Sequence, residues 1–283
     1  MSLPTNLDNT PTHSVSLLEW LDEDPLDGGN HCDIYKRRLN GKLVVIKHFR
    51  GVNPNRADVG DRLKESLKKE SIRWMRLNHP SVCRVYMIAE SFNCLPAVVM
   101  DYHPRGSLNN HITEHDPPFD QRRQWVLEMA QGLSSLHSSG VCHGSLRSSN
   151  VFLDTENRAV LADYGISQYI NDSDFTQTRF NDLVRWTGPE VISPAPDQVV
   201  LQDKLDIYAL GMTMLEVFTG KPPFSDIPSH KVPSAISENT RPMLPESIAS
   251  NAELKDVFDA CIRAVPNERP GASEVTAQLM ALT

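Results

Sequence analysis

No run of roughly 18 apolar residues occurs in the sequence, so it offers no candidate membrane-spanning helix. The N-terminus, M-S-L-P-T-N-L-D-N-T, lacks both the basic start and the apolar centre of a secretory signal. Basic residues are also in deficit. Lys and Arg number 28 against 36 Asp and Glu, a formal charge of −8 with an isoelectric point near 5.7. That balance excludes nucleic acid or an anionic membrane surface as the main partner. Cysteine is sparse: Cys32, Cys83, Cys94, Cys142 and Cys261 are odd in number and include no C-x-x-C pair. A disulfide framework is therefore excluded, and no zinc site is expected. These absences predict a cytoplasmic chain with reduced, buried thiols and no membrane insertion. What is present is 283 residues with 40% apolar content, enough for one large or two small packed cores.

Residues 1–15 are polar, contain Pro4 and Pro11, and read as a disordered leader. From Ser16 the segment S-L-L-E-W-L-D-E-D is predicted to form a short amphipathic helix with Leu17, Leu18 and Leu21 on one side. Leu26–Lys36, then Gly41-Lys42 and the apolar run Leu43–Ile46, predict a hairpin and a buried strand. That strand closes on Lys47. Gly51–Gly60 is a long polar connector, and the helix predicted from about Asp61 to Leu77 carries Leu63, Leu67, Glu70, Trp74 and Leu77 on one face. Glu70 thus stands within an apolar stripe. A lone buried carboxylate is costly, and an ion pair with Lys47 is the economical solution. Asn78-His79-Pro80 ends the helix; Val82–Ala89 and Ala97–Met100 read as strands with Asn93 in the turn between them. A helix over Gln121–Ser138 carries Trp125, Met129, Gly132, Leu133 and Leu136. It delivers the chain to H-G-S-L-R-S-S-N, a strand pair around Val151–Leu153 and Val160–Ala162, and then Asp163-Tyr164-Gly165. Ile166–Arg185 is polar and rich in hydroxyls, including Ser167, Ser173, Thr176 and Thr178.

The order His143…Asn150…Asp163-Tyr164-Gly165 resembles the H-R-D-L-x-x-x-N and D-F-G segments of protein kinases. Further resemblances follow in sequence. V-V-I-K ending at Lys47 is similar to V-A-I-K, and Arg185–Glu190 is similar to R-W-x-A-P-E with Gly188 for Ala. Asp206–Gly211 is similar to D-V-W-S-F-G, Lys221-Pro222-Pro223-Phe224 follows as in the family, and Arg269 stands where the usual buried partner of Glu190 is found. The wording resembles most closely the tyrosine-kinase-like branch of serine/threonine kinases, and also the kinase-homology region of receptor guanylyl cyclases. The resemblance runs from about Leu26 to Thr283. It implies an α+β, bilobal protein-kinase-like fold. Residues 16–102 would make a small antiparallel β-sheet lobe with one helix, and 103–283 a larger, mainly helical lobe, with the boundary near Met100–His103.

By the same resemblance, ATP would be held by Gly29, Ile34, Lys47, Glu70, Met100, Asp101, His103, Asn150, Leu153 and Asp163, with Mg²⁺ on Asn150 and Asp163. Met100 would guard the back of the adenine pocket, and Asp101-Tyr102-His103 would form the hinge. Asp206 would anchor the backbone of the catalytic loop. The departures are concentrated. Asp27 and Cys32 replace the first and third glycines of the phosphate-covering hairpin. Ser145 occupies the position of the Asp that accepts the substrate's hydroxyl proton, Arg147 replaces the loop Lys, and Leu183 stands where a Thr usually bonds that Asp. A neutral hydroxyl cannot take up a proton near pH 7. The resemblance therefore implies a pseudokinase that binds ATP and Mg²⁺ and signals through a protein partner. The alternatives are a weakly active protein serine/threonine kinase and a scaffold that binds no nucleotide.

Overall fold

The computed structural model describes residues 18–21, 24–28, 32–49, 59–92, 95–166, 183–194 and 201–282. The leader, Gly29, residues 51–58 of the connector, Asn93, Cys94 and residues 167–182 of the hydroxyl-rich segment lie outside them. The chain divides into two compact units. Among the described residues, one comprises 18–78 and 84–102; the other comprises 79–83, 103–166 and 183–282. With a sheet unit and a mainly helical unit, the chain has the α+β class expected from its sequence.

The first unit is an antiparallel sheet of β1 (Leu18–Trp20), β2 (Asp27–Gly28), β3 (Cys32–Leu39), β4 (Lys42–Phe49), β5 (Val85–Phe92) and β6 (Leu95–Asp101), in the order β1-β3-β4-β6-β5 with β2 also on β3. β3 and β4 are joined by Asn40-Gly41, both at positive φ (51° and 79°), the backbone a two-residue hairpin turn requires. One sheet face buries Leu18, Leu39, Val44, Ile46, Met87, Ala89, Ala97 and Val99 as a continuous apolar cluster. The helix expected from Ser16 is corrected here. Leu18–Trp20 is a strand whose Leu18 pairs with Leu39. Leu18 is buried while Leu21 is exposed, Leu17 lying outside the described residues, and a segment this short cannot offset the cost of a helical nucleus. Pairing with the edge of β3 gives the backbone its hydrogen bonds instead. Helix α1 (Val59–Trp74) packs on β5 and β6 and buries Leu67, Glu70 and Trp74, with Leu77 just beyond, as their spacing predicts.

The second unit is built on two long helices, α3 (Phe119–Ser138) and α5 (Gln202–Thr219), preceded by α2 (Leu108–His115) and separated by α4 (Pro189–Ile192). On α3, Trp125, Met129, Leu133 and Leu136 are wholly buried; α5 is buried along nearly its whole length, the pattern of a core helix. Gly132 lets α3 approach a neighbouring turn closely, since a Cβ there would lie 2.5 Å from the Ser81 carbonyl oxygen and 3.0 Å from Leu161. Against α3 also lies the hairpin β7 (Val151–Leu153) and β8 (Ala159–Leu161), tied by the Trp125 indole N–H donating to the Asn157 carbonyl at 2.8 Å. α5 ends on Gly220 at φ 66°, whose N–H returns to the Glu216 carbonyl at 2.8 Å. Short helices α6 (Val232–Ser237), α7 (Glu246–Ala249), α8 (Ala252–Cys261) and α9 (Ala272–Ala281) complete the unit. Among the described residues no helix is long and apolar enough to cross a membrane.

Candidate nucleotide and phosphoryl-transfer site

In the helical unit, α5 sets the shape of the loop after α3. Asp206 is 1% exposed and accepts the backbone N–H of His143 at 2.7 Å and of Gly144 at 2.7 Å; its Oδ2 also lies 2.8 Å from His137 Nε2. This is the anchoring role expected for Asp206. Gly144, at φ 76°, permits the tight bend that presents both N–H groups to one carboxylate. His143 is fully buried, and burial holds its imidazole below the usual histidine range. Its carbonyl accepts the Gly165 N–H at 2.9 Å, joining the loop to the Asp163–Gly165 turn.

Ser145, Asn150 and Asp163 are brought to this loop. Asn150 Nδ2 donates to the Ser145 carbonyl at 2.7 Å, with Ser145 Oγ at 3.4 Å, and the Asn150 carbonyl accepts the Ala162 N–H at 3.0 Å. The first bond fixes the amide so that its Oδ1 is directed away from Ser145. Asp163 follows at φ 60°, a left-handed conformation uncommon for a non-glycine residue. An amide oxygen and a carboxylate are hard donors of the kind Mg²⁺ takes, so this pair fits the metal implied by the resemblance. Tyr164 is buried and donates to the Cys83 carbonyl at 2.7 Å. Leu153 is buried in β7, and the His103 ring lies 6.1 Å from that of Phe152 on the same strand.

Ser145 and Leu183 line one cavity of about 70 Å³, whose lining includes Asp206 but no other carboxylate among the described residues. The Thr187 hydroxyl also borders it, but donates to the Leu183 carbonyl at 2.9 Å. The Arg147 guanidinium lies 5.9 Å from the centre of the Trp186 ring.

Sequence reasoning missed two supporting residues. Glu216, 6% exposed on α5, accepts with Oε2 the Ser148 N–H at 3.0 Å and the Trp186 indole N–H at 3.1 Å. It clamps the loop to the Val184–Trp186 turn, and burial raises its carboxyl above the usual range. A lone acid in the apolar run M-T-M-L-E-V-F of α5 was the available signal. His137, the other, carries none beyond its place at the end of α3.

In the sheet unit, Lys47 and Glu70 are both buried, and Arg73 Nη1 reaches Glu70 Oε2 at 3.4 Å. Lys47 pairs in register with Ile34 on β3 and Val98 on β6. Met100 is buried at the end of β6. The Asp101 carboxylate binds Lys42 at 2.8 Å and Tyr86 at 2.7 Å, and its N–H donates to the Arg84 carbonyl at 3.1 Å. Cys32 is buried opposite Phe49.

Glu190 and Arg269 form the expected buried pair through two bonds of 2.6 and 2.7 Å. Arg269 also donates to the carbonyls of Arg263 at 2.8 Å and Lys204 at 2.9 Å. Nearby, Arg185 donates to the carbonyls of Pro223 at 2.9 Å and Phe224 at 2.6 Å.

These features define a kinase-type fold, and residues 26–280 match the protein kinase domain family; the chain belongs to that family. It is 27% identical over 256 residues to a serine/threonine/tyrosine-protein kinase of Arabidopsis thaliana, covering 89% of this chain and 63% of the relative. A probable serine/threonine-protein kinase of Dictyostelium discoideum is 27% identical over 278 residues, covering 93% of this chain and 20% of the relative. A mitogen-activated protein kinase kinase kinase of Caenorhabditis elegans is 25% identical, covering 94% of this chain and 26% of the relative. The chain thus spans less than two thirds of the length of each of these relatives. Protein kinase domains generally use ATP with Mg²⁺.

Proposed function

We propose that this chain is a signalling pseudokinase of the tyrosine-kinase-like branch, one that binds ATP with Mg²⁺ and works through a protein partner in the cytoplasm rather than through phosphoryl transfer. The observation that carries the reading is the environment of Ser145. Its neighbours in the cavity are Leu183 and the Thr187 hydroxyl, and the lining carboxylate, Asp206, already accepts the His143 and Gly144 N–H groups. A hydroxyl there can neither accept a proton nor hold a base in line. Lys47, Glu70, Asn150 and Asp163 are all retained, which supports nucleotide binding. Asn150 and Asp163 would hold Mg²⁺, which supplies charge neutralisation on the phosphates when bound. The bound nucleotide would favour one arrangement of α1, and the partner would sense it.

A second reading has its own support. The relatives are named as kinases, positioning and electrostatics supply most of phosphoryl transfer, and a general base adds only about 10²–10⁴-fold. Residual serine/threonine kinase activity would then remain. Transfer of radiolabel from ATP to a protein substrate, compared with a Lys47→Met control, separates the two. The pseudokinase reading expects no difference from the control; an ordinary kinase rate abolished by the substitution would overturn it.

A further inference from the structure

Beneath the loop, one corner of the helical unit gathers a nitrogen, a sulfur and an oxygen donor from three chain segments. His137 lies in the last turn of α3, Cys142 in the connection that follows, and Asp206 on α5; their donor atoms all lie within 4.8 Å of one another. The connection turns back on itself to achieve this. Gly140 takes φ 70°, and the N–H groups of Ser139 and Val141 both return to the Leu136 carbonyl at 3.0 Å. His137 and Cys142 are half-buried, which leaves a path from solvent, whereas Asp206 is buried.

We propose that His137 Nε2, Cys142 Sγ and the Asp206 carboxylate form a binding site for a divalent cation of the zinc class. An imidazole, a thiolate and a carboxylate make a donor set suited to Zn²⁺ or Co²⁺ and poorly suited to Mg²⁺ or Ca²⁺, which take oxygen ligands in greater number. Bonds of about 2.0–2.3 Å in a tetrahedron place ligand atoms roughly 3.5 Å apart. The present triangle must therefore open slightly along its His137–Asp206 edge, now 2.8 Å, and the cation replaces that hydrogen bond. The fourth position falls to water. As the metal–sulfur bond forms, the thiol proton leaves to the buffer.

The simpler account of this corner is that His137 only braces Asp206. Cys142 distinguishes the two, because the brace does not use it. No C-x-x-C spacing announced such a site; the fold assembles it from residues 69 positions apart at the extremes. Its functional weight comes from Asp206, the same carboxylate that holds the N–H groups of His143 and Gly144. Occupancy of the corner would thus bear directly on the loop that carries Ser145.

The test is titration of the chelator-stripped chain with Co²⁺, followed by displacement with Zn²⁺. Wild-type protein should show a thiolate-to-cobalt charge-transfer band and the strong visible bands of tetrahedral Co²⁺ at one equivalent. Cys142→Ser, which keeps the His137–Asp206 contact, should lose the charge-transfer band and weaken binding by at least about tenfold, since even indirect supports of a metal cost 10–100-fold. Circular dichroism and an unchanged melting temperature would show that the variant is folded. No charge-transfer band in the wild type would overturn the proposal. So would a band of equal intensity in Cys142→Ser, which would assign the thiolate to another cysteine.

Discussion

At Ser145 a hydroxyl stands in a loop whose backbone Asp206 holds through the N–H groups of His143 and Gly144. Restoring only the carboxylate would place a charge beside Leu183 with nothing to orient it. Ser145→Asp should therefore gain less than the roughly 10⁴-fold a well-placed base can give. Adding Leu183→Thr and Cys32→Gly should raise transfer beyond the single change, because both reactants must be oriented; steady-state transfer to a protein substrate measures each step. An equal rate for the single and triple variants would show that orientation is not what is missing. Glu216 gives a prediction in pH. Its folded value is raised above the ordinary 4.5, so the folded chain holds this proton more tightly than the unfolded one. Stability from this group then falls as pH rises from about 4.5 through the folded value, and the penalty persists above it. In Glu216→Gln the amide oxygen can still accept from Ser148 and Trp186. That variant should flatten this part of the stability profile and be no less stable than wild type at neutral pH, as denaturant titrations across the range would show.

At the level of elements, what was legible followed periodicity, and what was not followed context. The α1 stripe of Leu67, Glu70, Trp74 and Leu77 was readable because helical spacing alone decides which residues share a face. The strand at Leu18–Trp20 was not, since its partner Leu39 lies far along the chain and the local spacing fits a helix equally well. The short helices α6 and α7 likewise gave too little repeat to read. In the site, Asp206 and the Glu190–Arg269 pair were found through the family pattern. Glu216 was not, because its role depends on donors from two distant segments. Gly132 tests how tightly α3 is seated. Ala is the better helix former by about 1 kcal/mol, but its Cβ would meet a backbone carbonyl at 2.5 Å that cannot rotate aside. Overpacking of about 1–3 kcal/mol should win, and Gly132→Ala should melt at a lower temperature than wild type. A higher melting temperature would mean that the turn at Ser81 yields.

For the molecule as a whole, the Glu190–Arg269 pair joins segments 79 residues apart. Arg269→Ala strands a buried carboxylate and should cost about 3–5 kcal/mol of unfolding free energy; an unchanged denaturant midpoint would contradict a structural role for the pair. Nucleotide binding should be visible on the same scale. ATP with Mg²⁺ at about 100 times its dissociation constant should stabilise the fold by roughly 2.7 kcal/mol, and Asp163→Asn should remove the part that depends on Mg²⁺. No thermal shift at saturating ATP, with or without the metal, would favour the nucleotide-free scaffold.

Asp206 reaches the loop through the main-chain N–H groups of His143 and Gly144, so its grip is indifferent to the side chain at position 145. The shape of the loop is therefore heritable separately from the side chain at position 145. A lineage could lose phosphoryl transfer at this position, drift, and regain it without ever passing through an unfolded ancestor.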